Sequence, residues 1–60
     1  MKEEIILELV EMKKLGVDCG KTLTQVNNGY FDNDIKELEA GHCGISEAVD
    51  CLISLYAINK

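Results

Sequence analysis

The stretch SEAVDCLISLYAIN, residues 46–59, decides the fold class. Ser46 is a typical N-cap residue and predicts a helix from Glu47 to about Asn59. Polar residues between these ends are confined to Asp50 and Ser54, so the helix is apolar nearly all round. Such a helix lies at the centre of a core or against a partner. The sequence therefore predicts an all-α protein whose last helix is either central to the core or shared with a partner.

Three further helices are predicted upstream. Residues 2–15 carry Ile5, Leu9 and Met12 at the i, i+4, i+7 spacing of one helix face, and Gly16 is a typical residue just beyond a helix end. Asp18 is the expected N-cap of a second helix, residues 19–28.

A third helix is expected over residues 33–40, with Asp32 or Asn33 as its cap and Gly41 as its end. Phe31, just before it, is expected in the core, and Tyr30 at its half-exposed rim. The expected fold is a small all-α bundle of three to four short helices, spanning about 2–15, 19–28, 33–40 and 46–59.

The length limits the domain organisation. Sixty residues form one domain, residues 1–60, and a chain this short is marginally stable on its own. Large enzymes, nucleotide-binding α/β folds and repeat arrays are excluded by size.

The negative charge is concentrated in the middle of the chain. The net charge is −5, and residues 30–50 hold one lysine against six acidic residues. The third predicted helix carries the expected acidic surface: Asp32, Asp34, Glu37 and Glu39. This surface is either a solvated face or one that attracts a basic partner.

The same charge distribution argues against nucleic-acid binding. The chain contains no arginine, which is the side chain that binds phosphate and guanine in a bidentate way. The alternative function is a dimeric helix-turn-helix-like protein that contacts nucleic acid through Lys21 and Gln25 of the second helix.

Residues 18–38, DCGKTLTQVNNGYFDNDIKEL, resemble the small N-terminal helical module of elongation factor Ts, which has a ubiquitin-associated-like three-helix fold. The matching positions are Asp18, Cys19, Lys21, Leu23, Thr24, Asn27, Gly29, Ile35 and Leu38. In that family the module docks on an elongation factor. The residues before Asp18 differ from the family's pattern, and an apolar helix follows Gly41. The resemblance therefore implies a compact three-helix unit with a fourth helix added.

The residues that could carry chemistry have poor spacing. Cys19, His42, Cys43 and Cys51 lack the closely spaced pairs of a structural zinc site. No orienting Asn or Asp can be assigned to a Cys–His nucleophile pair, and His42 fits a turn between two glycines. We expect no catalytic residue, no cofactor and no metal.

The sequence also indicates a compartment. The first apolar run, Ile5 to Leu7, is too short for a secretory signal, and the apolar stretch near residue 50 is about half a membrane span. Three cysteines cannot all pair within the chain, so reduced thiols and a cytoplasmic location without a membrane are expected.

The first and last helices both have apolar arcs wider than a small bundle can cover. The sequence therefore predicts a non-enzymatic protein–protein interaction module, a regulator or adaptor, that forms a homodimer or binds another protein. The expected partner contacts lie on these two helices: Ile6, Val10, Leu52, Leu55 and Tyr56.

Overall fold

The computed structural model describes residues 1–59, apart from the side chain of Asn59, and this part of the chain is a compact bundle of four helices without a strand. The helices are α1 (Lys2–Lys14), α2 (Gly20–Asn27), α3 (Asp32–Ala40) and α4 (Ile45–Asn59). The predicted all-α class is confirmed. The predicted ends agree with these bounds within one residue.

The core lies between α4 and the other three helices. Its buried apolar side chains come from all four elements and from the residues that precede α2 and α3: Ile5, Leu9, Cys19, Val26, Phe31, Ile35, Ala48, Val49 and Leu52. α1 packs against α2 and α4, and α4 also contacts α2 and α3. α4 therefore occupies the centre of the bundle, which is one of the two positions that the sequence left open for it.

Two adjacent aromatic residues lie between α2 and α3. Phe31 is only 1% exposed and Tyr30 is 59% exposed, so the predictions of a core and a rim position are confirmed. The two rings are 4.9 Å apart in an edge-to-face arrangement. Phe31 thus fixes the start of α3 on the core.

The helix ends share one turn geometry. After α1, α2 and α3, the N–H two positions past the C-cap donates to a carbonyl five residues earlier, as in a Schellman motif. The donor and acceptor residues are Val17 and Met12, Tyr30 and Gln25, and Cys43 and Leu38, with N···O distances of 3.0, 3.0 and 3.1 Å. The motif needs one residue with positive φ, which is Gly16, Gly29 or His42.

The expected side-chain caps are wrong for α2 and α3. The N-cap of α2 is Cys19 and that of α3 is Phe31, and neither helix has a side-chain cap hydrogen bond. Asp18 lies before the cap, whereas Asp32 and Asn33 lie inside α3. Burial of Cys19 and Phe31 explains the difference, because each core residue anchors the first turn of its helix.

The expected cap of α4 is also wrong. α4 begins at Ile45, so Ser46 lies within the helix. The N–H of Ala48 donates to the carbonyl of Gly44 at 2.9 Å, and helical bonding therefore starts at the glycine. Ile45 packs against the core, which draws the first turn inward.

Candidate binding groove between α3 and α4

A groove with a volume of about 290 Å³ runs between α3 and α4. Its lining comes from α3, from the connection to α4 and from α4 itself: Asp34, Glu37, Leu38, Cys43, Cys51 and Leu55. We call this set the α3–α4 groove.

The apolar floor of the α3–α4 groove follows from helical spacing. Leu38 lies on the flank of α3 next to the buried face that holds Ile35, and it packs against the core. Cys51 and Leu55, four residues apart, lie on the same side of α4. Leu38 and Leu55 are half-buried, so each offers apolar surface to a bound molecule while it supports the core.

The thiols of the chain lie in two different environments. Cys43 and Cys51 are free, partly exposed and part of the α3–α4 groove. Cys19 is buried, and its Sγ donates a hydrogen bond to the carbonyl of Leu9 at 3.3 Å. The sequence did not assign Cys43 and Cys51 to one surface, since periodicity alone does not show which helices meet.

The side of α4 that faces the groove extends beyond it in both directions. Glu47 precedes Cys51 by four residues, and Ile58 follows Leu55 by three, so both are neighbours of groove residues on the helix surface. Ile58 is 78% exposed. α4 therefore presents an acidic residue at one end of the groove and an exposed apolar residue at the other.

The acidic residues of α3 are divided between two sides of the helix. Asp32 and Glu39 face the start of α1, where Lys2 Nζ lies 3.0 Å from Asp32 Oδ1 and the amino group of Met1 lies 3.7 Å from Glu39 Oε2. Asp34 and Glu37 belong to the α3–α4 groove instead. The expected single acidic surface is thus two surfaces, one of them paired with α1.

The two carboxylates at the groove repel each other, and that of Glu37 is also unfavourably placed in its helix. Asp34 and Glu37 are three residues apart on one helix, where like charges repel each other. Glu37 also lies towards the C-terminal end of α3, which carries the negative end of the helix dipole. Within residues 1–59, neither carboxylate has a basic group within 4.0 Å.

The expected partner contacts do not form one surface. Leu52 is 0% exposed, and the structure therefore corrects its assignment from a partner contact to a core residue. Leu55 lies in the α3–α4 groove, whereas Tyr56 lies in a separate hollow of about 210 Å³ between α2 and α4. Helix geometry separates them because consecutive residues lie 100° apart around the helix axis.

Ile6 and Val10 lie on a third side of the molecule. They share a flank of α1 with Lys13, and a Cβ placed on Gly20 of α2 would lie 3.8 Å from the Lys13 side chain. This flank therefore faces α2. Glu8, on the opposite flank of α1, lines a hollow shared with α4.

The described part of the chain offers neither a clustered metal-ligand set nor a membrane-spanning helix. Among residues 1–59 there is no group of three or more His, Cys, Asp or Glu side chains arranged to hold a metal ion. None of the helices described is both long enough and apolar enough to cross a membrane. His42 is exposed in the turn after α3.

Comparison with known proteins gives no relative: no family model, no curated protein and no solved structure matches the chain.

Proposed function

We propose that the protein is a small, non-enzymatic protein–protein interaction module, a regulator or adaptor, which binds its partner through the α3–α4 groove. The observation that carries this proposal is the apolar floor of Leu38 and Leu55 beside the carboxylates of Asp34 and Glu37. An apolar centre with a polar rim is the usual composition of a protein interface.

The open shape of the groove supports a protein partner over a small ligand, because small-molecule pockets enclose most of their ligand. The groove is open to solvent. It suits apolar side chains that project from a protein surface.

The charges of α3 favour a protein over nucleic acid. In a helix-turn-helix arrangement, α3 would be the second helix and would lie against phosphates. Its outward carboxylates, Asp34 and Glu37, would repel them. Lys21, the expected nucleic-acid contact on α2, lines the separate α2–α4 hollow with Asp18 beside it.

We place the module in the cytoplasm. The chain has three cysteines, which cannot all pair within it, and unpaired thiols persist in a reducing compartment.

Differential capture from the source cell tests the interaction. The wild-type protein, Glu37→Lys and Glu11→Lys are immobilised at equal density, and retained proteins are identified by mass spectrometry. Glu11 is the matched control, because it is also an exposed glutamate towards the end of a helix and lies on α1, away from the groove. Both substitutions change the net charge by the same amount.

We expect one partner to be retained by the wild type and by Glu11→Lys and to be lost from Glu37→Lys. Equal retention of every protein by all three baits would contradict binding at the α3–α4 groove. Circular dichroism spectra of the three baits check that each is folded.

A further inference from the structure

We infer that the occupant of the α3–α4 groove is a basic amphipathic helix of another protein, with one apolar stripe flanked by lysine or arginine. This inference rests on the proposed function and specifies the chemistry of the partner.

The shape of the groove fits a helix. Its two sides are themselves helices, and its floor offers apolar side chains from both, Leu38 on one side and Leu55 on the other. A third helix laid between two others buries its apolar stripe, which is a recurrent mode of peptide recognition. From Glu47 to Ile58 the exposed side of α4 extends about 16 Å, the length of roughly three helical turns.

The charge at the groove selects a basic helix. Asp34 and Glu37 repel each other along α3, and Glu37 also opposes the dipole of its own helix. Lysine or arginine on an incoming helix would relieve both effects at once. Glu47, on the adjacent side of α4, adds a third carboxylate to the same area. A basic flank on the partner therefore meets negative charge along the α3 side and at one end of the groove.

A second copy of this chain is a poorer occupant. In a two-fold dimer the same groove meets itself, so Asp34 and Glu37 would face the identical pair on the other chain. Each chain also carries a net charge of −5, which adds general repulsion. The apolar contact between the Leu38 and Leu55 side chains of two copies would have to outweigh this electrostatic repulsion.

A defined peptide tests the assignment. The probe is a fluorescent peptide of about 14 residues, in which leucines follow a helical stripe and lysines fill the other positions. Its counterpart carries glutamate in place of every lysine. Anisotropy titrations compare the wild-type protein with Glu37→Lys, Glu37→Gln and the control Glu11→Lys. Glu37→Lys and Glu11→Lys have the same net charge, so they separate attraction at the groove from attraction to an acidic protein in general.

We expect the leucine–lysine peptide to bind the wild type and Glu11→Lys with similar Kd values. Glu37→Lys should weaken its binding about tenfold or more, with Glu37→Gln in between. Raising the salt concentration from about 0.05 M to about 0.5 M should weaken binding to the wild type, because partly exposed charges are screened. Perturbed amide resonances at Leu38, Cys51 and Leu55 should locate the peptide.

Four results would overturn the assignment. Equal weakening of peptide binding by Glu37→Lys and Glu11→Lys would show that the net charge alone attracts the peptide, and equal Kd values for the wild type and Glu37→Lys would show that Glu37 does not contact it. Absence of peptide binding to the wild type would exclude a basic helix as the occupant. The proposed interaction function would still hold if the capture experiment retained a partner that Glu37→Lys loses. A sedimentation mass of the wild type near twice 6.7 kDa would indicate a dimer. If Glu37→Lys changed that mass, the groove would be assigned to a second copy of the chain.

Discussion

His42 occupies a backbone conformation that side chains disfavour. Its φ is 59°, in the left-handed region, whereas Gly16 and Gly29 fill the equivalent positions after α1 and α2. A Cβ atom in this region approaches the following carbonyl oxygen, which costs about 1–2 kcal/mol. Gly41, one residue earlier, has a φ of −82°, which any residue can adopt, so this glycine does not occupy the left-handed position of the turn. The turn after α3 is therefore strained where the other two turns are not.

The substitution His42→Gly should raise the free energy of unfolding by about 0.5–1 kcal/mol. The gain is smaller than the relieved strain because glycine also increases the entropy of the unfolded chain. Urea unfolding followed by circular dichroism measures the effect. The control Gly16→Ala should lower stability by about 1 kcal/mol, because the φ of 92° at this position disfavours any side chain. No atom lies within 4 Å of the added Cβ, so the backbone conformation alone causes this loss. A less stable His42→Gly protein would show that the imidazole makes a stabilising contact.

At the scale of the element, α3 has acidic residues at both ends of its dipole. Asp32 and Asp34 lie in its first turn, where negative charge is favourable, and no basic residue lies in its last turn. Glu39 is compensated by the amino group of Met1, whereas Glu37 has no such partner within residues 1–59. Glu37 thus weakens the helix that carries it.

The substitution Glu37→Lys should therefore stabilise the protein by about 0.5 kcal/mol. It replaces repulsion from Asp34 with attraction and places a cation near the C-terminal end of the helix. The control Asp32→Lys should have the opposite sign, because it removes the 3.0 Å ion pair with Lys2 and puts a cation in the first turn. Thermal unfolding at low and high salt measures both changes, and salt should reduce each of them.

If Glu37→Lys is more stable and also binds its partner less well, the carboxylate acts in binding at a cost in stability. A Glu37→Lys protein of reduced stability would contradict the electrostatic account of α3.

The elements themselves could be predicted from the sequence. Apolar spacing located all four helices, and Gly16 and Gly29 marked the ends of α1 and α2, because local backbone requirements determine these ends. The helix starts were predicted less well. Burial of Cys19 and Phe31, which depends on the tertiary fold, replaced the side-chain caps expected at Asp18 and Asp32.

The candidate groove could be predicted only in part. The acidic character of α3 and the apolar Leu55 were evident from the sequence. Helical periodicity shows which side of each helix is apolar, but it does not show which helix covers that side. Only the packed structure shows that Asp32 and Asp34 lie on different sides of α3. It also shows that Leu38 and Leu55 line the same groove.

At the scale of the whole molecule, the four helices enclose their own core. Leu9, Leu52 and Ile5 are each 0% exposed in the single chain. The exposed large apolar residues lie apart on α1, in the two connections that flank α2, and near the end of α4: Leu7, Leu15, Val17, Tyr30 and Ile58. The single chain thus forms a buried core of its own, and the expected association with a second copy or another protein stays a prediction.

The substitution Leu52→Ala tests this self-contained core. Removing a fully buried leucine costs about 2–5 kcal/mol, whereas a 60-residue domain has a total stability of roughly 3–9 kcal/mol. We expect Leu52→Ala to be largely unfolded at physiological temperature. Leu7→Ala removes the same atoms from a side chain that is 67% exposed, and it should change stability by less than about 0.5 kcal/mol.

Circular dichroism melts and sedimentation of both variants distinguish a core role of Leu52 from a partner contact. If Leu52 lay at an interface between two copies, Leu52→Ala would reduce the sedimenting mass and leave a folded chain, and the melting temperature would depend on protein concentration. If Leu52 supports the core of one chain, helical signal and folded mass are lost together at every concentration. The 0% exposure of Leu52 in a single chain leads us to expect the second result.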